Sequence, residues 1–250
     1  GLPSWQGLLD ELALHAGWSK GELERLQSLD VRDQAQVIAK RMGDEEFRTR
    51  MIARLSQEDY ALAHGLLASL DPHEVVTTNY DVLMEKAFGP RRAPAVLPAQ
   101  PVGPSGRWLL KLHGTVQEAA SIILTRNDYL GLPDHSQALF GIVQAMLMTK
   151  QMLFVVYSLS DDSFHRVVHD VRRARRSESE AATTMGVALT LFPDPTLDAL
   201  WGQDLSIVPV ARRETHGDDA AVHAAVSKGA RGRVDESRSC TATAVCRPLT

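Results

Sequence analysis

Cys240 and Cys246 are the only cysteines in 250 residues. That scarcity excludes a disulfide framework and paired C-x-x-C knuckles, and argues against structural zinc. No apolar run approaches the ~20 residues of a membrane-spanning helix, and no charged-then-apolar signal segment opens the chain, so the expectation is a cytoplasmic protein. Positive charge is not in excess. With 27 Lys and Arg against 31 Asp and Glu, the net charge is -4 and the pI near 6.1, which argues against a dedicated nucleic-acid binder with its basic face. Internal repeats are absent, and so is an initiator methionine: the chain opens Gly1-Leu2-Pro3-Ser4-Trp5 and reads as a fragment or a misplaced start.

What is present is enough apolar sequence, 44%, for one substantial core with a tail left over. Ser4 is an N-cap candidate followed by Trp5, Leu8, Leu9, Leu12 and Leu14 at helical spacing, and the helical texture continues to Leu70, with breaks at Gly43-Asp44 and Ser56. After Asp71-Pro72 the pattern changes to short apolar runs that end in polar residues. Strands are expected at 75–78, 108–112, 121–124, 152–157, 185–191 and 205–210, and helices at 81–88, 136–150, 163–175 and 195–201. Such alternation predicts an α/β, Rossmann-like fold: a mainly parallel sheet with helices on both faces, preceded by a helical segment. The expected organisation is one domain over 1–210, with the helical segment at 4–70 and the α/β part at 71–210. Residues 90–106 read as a long loop, and 211–250 as a poorly structured tail, disordered or out of frame.

In a parallel sheet, ligands bind beyond the carboxyl ends of the strands. Three predicted strand ends carry polar clusters: Thr77-Thr78-Asn79-Tyr80-Asp81, Leu112-His113-Gly114, and Tyr157-Ser158-Leu159-Ser160-Asp161-Asp162. Alone, the first reads equally well as a helix cap, His113 reads first as a satisfied histidine at a strand end, and Ser160 and Asp161 read as helix caps alongside any function; three in succession favour a site. His165 and His169 have the i, i+4 spacing of a metal pair but lack a third ligand in the sequence, so metal is not expected. The basic run Arg172-Arg173-Ala174-Arg175-Arg176 reads first as a solvated helix end. Asp128 and Tyr129, after Arg126, are supporting residues of a cleft.

The order Gly-Leu-Pro-Ser-Trp, Thr-Thr-Asn-Tyr-Asp, Lys-Leu-His-Gly, Ile-Leu-Thr-Arg-Asn-Asp-Tyr and Phe-Val-Val-Tyr-Ser-Leu-Ser-Asp-Asp-Ser-Phe resembles the bacterial sirtuin-like family of NAD-binding domains, over roughly 1–210. The resemblance implies that Asn79 and Asp81 contact the nicotinamide and its ribose, and that His113 is the catalytic histidine. It implies that Ser158 lines the adenosine end of the cofactor site, with Tyr157 and Asp161 of the same cluster as further cofactor-binding residues. By likeness to the family's defence-related members, possible agents of anti-phage defence, the activity implied is cleavage of NAD+ to nicotinamide and ADP-ribose. Deacylation is disfavoured, since deacylating members carry a four-cysteine zinc module. The chemistry suits these residue types: an oxocarbenium-like sugar needs an amide to orient water and leaving group, and a base for the proton.

Two departures stand against the resemblance. The family's strand and Gly-Ala-Gly-x-Ser loop, whose amides bind the pyrophosphate, would precede Gly1. This chain is therefore expected to bind NAD poorly or not at all and to be poorly soluble alone. Val156 stands where the family usually has Gly, either crowding the adenosine pocket or facing the core. The competing expectation is a catalytically silent nucleotide-binding or protein-interaction module with the same fold. A fused or associated sensor module and an oligomer fit either expectation.

Overall fold

The computed structural model describes residues 2–155, 159, 161–175, 184–211 and 243–247. The chain begins with five helices, α1 (Trp5–His15), α2 (Lys20–Leu26), α3 (Val31–Met42), α4 (Asp44–Leu55) and α5 (Leu62–Ser69). Their starts follow from capping chemistry. Ser4 accepts from the Gly7 N–H, Ser19 and Glu22 form a reciprocal capping box, and Asp30 accepts from the Arg32 N–H, each satisfying an amide that the first turn leaves unpaired. Between α3 and α4 the chain turns at Gly43, whose φ of 94° suits a residue without Cβ. Leu8, Leu9, Ile38, Phe47 and Met51 from α1, α3 and α4 close a core of their own, which Ile122 and Leu124 complete.

The rest is a mixed α/β domain. Strands β1 (Glu74–Thr77), β2 (Ala95–Leu97), β3 (Trp108–Lys111), β4 (Gln151–Val155), β5 (Gly186–Thr190), β6 (Leu205–Pro209) and β7 (Thr243–Arg247) alternate with α6 (Leu83–Phe88), α7 (Arg126–Thr149), α8 (Asp162–Ala174) and α9 (Pro195–Trp201). They form one sheet in the order β2-β3-β1-β7-β4-β5-β6. The pairs β2–β3, β1–β3, β4–β5 and β5–β6 are parallel, and β7 runs antiparallel to both β1 and β4. Alternate residues of the strands serve opposite faces. Val76, Leu110, Met152 and Phe154 pack under Val143, Leu147, Phe164, Val167 and Trp201, whereas Val75 and Leu109 pack under Ala68, Met84 and Phe88. Both faces are thus covered, as the near-continuous apolar strands predict. Among the described residues no helix is long and apolar enough to cross a membrane.

Four sequence expectations are corrected. Residues 121–124 join no ladder. Ile122 and Leu124 do alternate inward, but into the helical core, while the Ile123 N–H donates to the His113 carbonyl. The 90–106 stretch contains β2, an edge strand whose Val96 N–H donates to the Gln100 side chain at 3.0 Å, so the free edge is partly satisfied from within. Helix α7 starts at Arg126, ahead of the expected 136, because Thr125 and Asp128 form a capping box. Within 211–250, where no element was expected, β7 forms by pairing on both sides with β1 and β4.

Candidate active site

The tips of β1 and β3 lie side by side because Thr77 pairs with Lys111 and the Leu112 N–H donates to the Thr77 carbonyl at 2.9 Å. Beyond β1 the Asn79 N–H donates to Thr77 Oγ1 at 3.1 Å, an ST-type turn that reverses the chain. The Asp81 carboxylate accepts the N–H of Leu83, the first residue of α6, at 3.0 Å. Tyr80 stacks on Trp5 and donates its hydroxyl to the Ile123 carbonyl at 2.7 Å, tying this tip to the helical core. Burial raises the Tyr80 phenol well above its ordinary range, so it stays a donor.

Beyond β3, His113 is 5% exposed. Its Nε2 lies 3.4 Å from Asp161 Oδ2, and its ring meets the edge of Tyr129 at 5.6 Å. Burial lowers the His113 pKa below the ordinary 6.5, and the Asp161 charge partly opposes that fall. The imidazole is therefore neutral at pH 7, with an anion beside it to receive the charge when it takes a proton. Asp161 also accepts the Ser163 and Phe164 N–H groups, so one carboxylate caps α8 and flanks the histidine. The next residue, Gly114, has φ 92° and abuts the Ser121 carbonyl, a position open only to glycine.

His113, Asp161 and Thr78 line one small recess, walled by Leu112, Phe140, Val143, Phe164 and Val167. Among the described residues, its lining does not include Asn79 or Asp81; Asn79 follows Thr78 in the same turn, and the Asp81 carboxylate is directed to α6. Val156, Tyr157 and Ser158 lie outside the described residues.

The sequence singled out neither Arg32 nor Lys111. The Arg32 guanidinium lies over the Tyr129 ring at 5.3 Å and donates to Asp162 at 2.6 Å, linking α3 to the start of α8. Lys111 is buried below the β1 tip. An arginine in an amphipathic helix and a lysine at a strand end look like surface residues, so only the tertiary contacts reveal them. Asp128, the expected cleft residue, instead closes the α7 cap and pairs with Arg48 at 3.0 Å. His165 lies against Trp201 at 4.7 Å between ring centroids. From the basic run, Arg172 is bound to Asp204 and Arg175 to the Leu147 carbonyl.

A family profile described as SIR2-like domain matches residues 73–208. The chain is 33% identical over 116 residues to the NAD(+) hydrolase ThsA of Enterococcus faecium, covering 44% of this chain and 24% of that protein. It is 28% identical over 180 residues to the NAD(+) hydrolase ThsA of Cytobacillus dafuensis, covering 69% and 35%. It is 26% identical over 120 residues to Defense-associated sirtuin 2 of Bacillus subtilis, covering 45% and 12%. The matched stretch thus spans between 12% and 35% of the length of these relatives. With more than half of its residues inside the family profile and a parallel sheet beneath the matched strand ends, the chain belongs to the SIR2-like domain family.

Proposed function

We propose that this domain binds NAD+ and hydrolyses it to nicotinamide and ADP-ribose, as a contribution to a defence system. The observation that carries the reading is the buried, neutral His113 beside Asp161 at a parallel-sheet strand end, in a chain similar to proteins named NAD(+) hydrolase. The bond between ribose C1′ and the nicotinamide nitrogen breaks with its electrons going to nicotinamide, and the sugar becomes oxocarbenium-like. Asn79 supplies the amide that orients the leaving group and water. His113 takes a proton from the water as its oxygen bonds to C1′, and Asp161 stabilises the imidazolium so formed. Asp81 contributes on the ribose side of the same turn, and Tyr157 and Ser158 on the adenosine side.

The test is nicotinamide release from NAD+ by the chain, compared with Asn79→Ala and His113→Ala. Loss of a general base or a positioned amide lowers turnover on the order of 100-fold or more. Variants that retain wild-type release would overturn the assignment. NAD+ binding without release by the wild type would instead identify a silent nucleotide-binding module, a reading favoured by the engagement of the Asp81 carboxylate with the Leu83 N–H in the turn before α6.

A further inference from the structure

Lys111 occupies a place that the pattern of β3 reserves for an apolar side chain. It stands two residues after Leu109 and so faces the same side of the sheet, where Leu109 packs against Met84 and Phe88. Lysine is almost never fully buried unless paired, yet Lys111 is 2% exposed. Its ammonium has two partners. It donates to the Asp81 carbonyl and lies 2.9 Å from Glu85 Oε1. The Glu85 oxygens accept no hydrogen bond among the described residues, so that carboxylate meets the ammonium as a counter-charge. The directed bond is the one to Asp81.

This placement does little for α6 as a helix. A cation at a helix N-terminus opposes the dipole, and the ammonium sits at that end. What it does secure is the backbone of the turn joining β1 to α6. Other contacts of that turn include the Asn79 N–H on Thr77, the Asp81 carboxylate on the Leu83 N–H, the Val116 N–H on the Tyr80 carbonyl and the Tyr80 hydroxyl on the Ile123 carbonyl.

We propose that Lys111 is a positioning residue: its buried ammonium, balanced by Glu85, holds the Asp81 carbonyl and fixes the turn that presents Asn79 next to the β3 tip bearing His113. The inference deepens the NAD+ hydrolysis reading and rests on it for its chemical consequence, while the effect on the turn is measurable without substrate.

The experiment compares the full chain with Lys111→Met, with the double variant Lys111→Met/Glu85→Met, and with Lys111→Arg. Thermal midpoint, amide hydrogen exchange over 79–83, and kcat and KM for nicotinamide release are read for each. The single Met variant strands a buried carboxylate and melts lower; the double variant removes both charges and recovers the midpoint. In both, exchange over 79–83 is faster, and kcat falls roughly 100-fold, the order expected for a misplacement of about 1 Å, with KM changed far less. Lys111→Arg keeps a cationic donor and restores slow exchange and most of kcat.

A double variant with wild-type exchange and turnover overturns the proposal, because Lys111 would then be only half of a buried ion pair. So does a folded Lys111→Arg that behaves like Lys111→Met. A wild type that binds NAD+ but releases no nicotinamide overturns the hydrolysis reading instead, and exchange alone then decides the role of Lys111.

Discussion

His113 and Asp161 meet at 3.4 Å across the floor of one recess, one from the end of β3 and the other from the cap of α8. The pairing makes the histidine answer to two opposed influences, with burial driving its pKa down and the carboxylate holding it up. Asp161→Asn removes the second and leaves the first. Asparagine is as good an N-cap as aspartate, so α8 keeps its start. The His113 imidazole, followed by NMR through its ring protons, is expected to titrate lower than in the wild type. A pKa that stays or rises would refute the coupling.

The same depression gives stability a pH dependence. The unfolded imidazole takes up a proton near 6.5, whereas the folded one resists until lower pH, so the unfolded state binds more protons between the two values. Stability therefore falls as pH drops through 6.5 towards the folded pKa and levels off below it. Urea unfolding of wild type and His113→Gln from pH 8 to 5 should show a steeper decline for the wild type over that window. Parallel curves would exclude His113 as the source.

Gly114→Ala is expected to destabilise the fold by about 2 kcal/mol or more, combining a disfavoured positive φ with an obstructed Cβ. The φ is 92°, and the obstruction is the backbone carbonyl of Ser121, which has no rotamer by which to move away. Denaturant midpoints decide the matter, and a loss below roughly 0.5 kcal/mol, the scale of an ordinary surface change, would contradict it.

Arg48 and Glu58 offer a contrast between an embedded and an exposed ion. Arg48 donates to the Ile122 carbonyl at 2.8 Å and to Asp128 at 3.0 Å, pinning α4 to the segment below His113. Glu58, 92% exposed, merely pairs with Lys86. Arg48→Ala should cost about 1.5 to 3 kcal/mol, the range of a hydrogen bond to a charged group, and Glu58→Ala far less, as for an exposed ion pair. Equal losses in urea melts would contradict the assignment of Arg48 as the anchor.

Local chemistry was legible where it acts over a few residues. Ser4 caps the helix it precedes, and the buried strands read directly as apolar runs, because both signals depend on near neighbours. The 121–124 segment misled for an equally physical reason: alternation reports burial on one side, and here the side is a helical core rather than a sheet. Within the candidate site, the proximity of the β1 and β3 tips followed from parallel pairing, whereas the roles of Lys111 and Arg32 did not, since a long basic side chain carries no periodic signature of its partner.

The amino-acid sequence by itself determined the α/β class, the helical segment in front of it and the polar strand ends, because capping, alternation and strand-end placement are set by spacing along the chain. Only the tertiary structure decided that His113 pairs with Asp161, that Lys111 lies buried beneath the Asp81 turn, and that Thr243–Arg247 runs antiparallel between β1 and β4. Those outcomes depend on contacts between residues far apart in sequence, whose energies come from shared burial and charge pairing that no local pattern encodes.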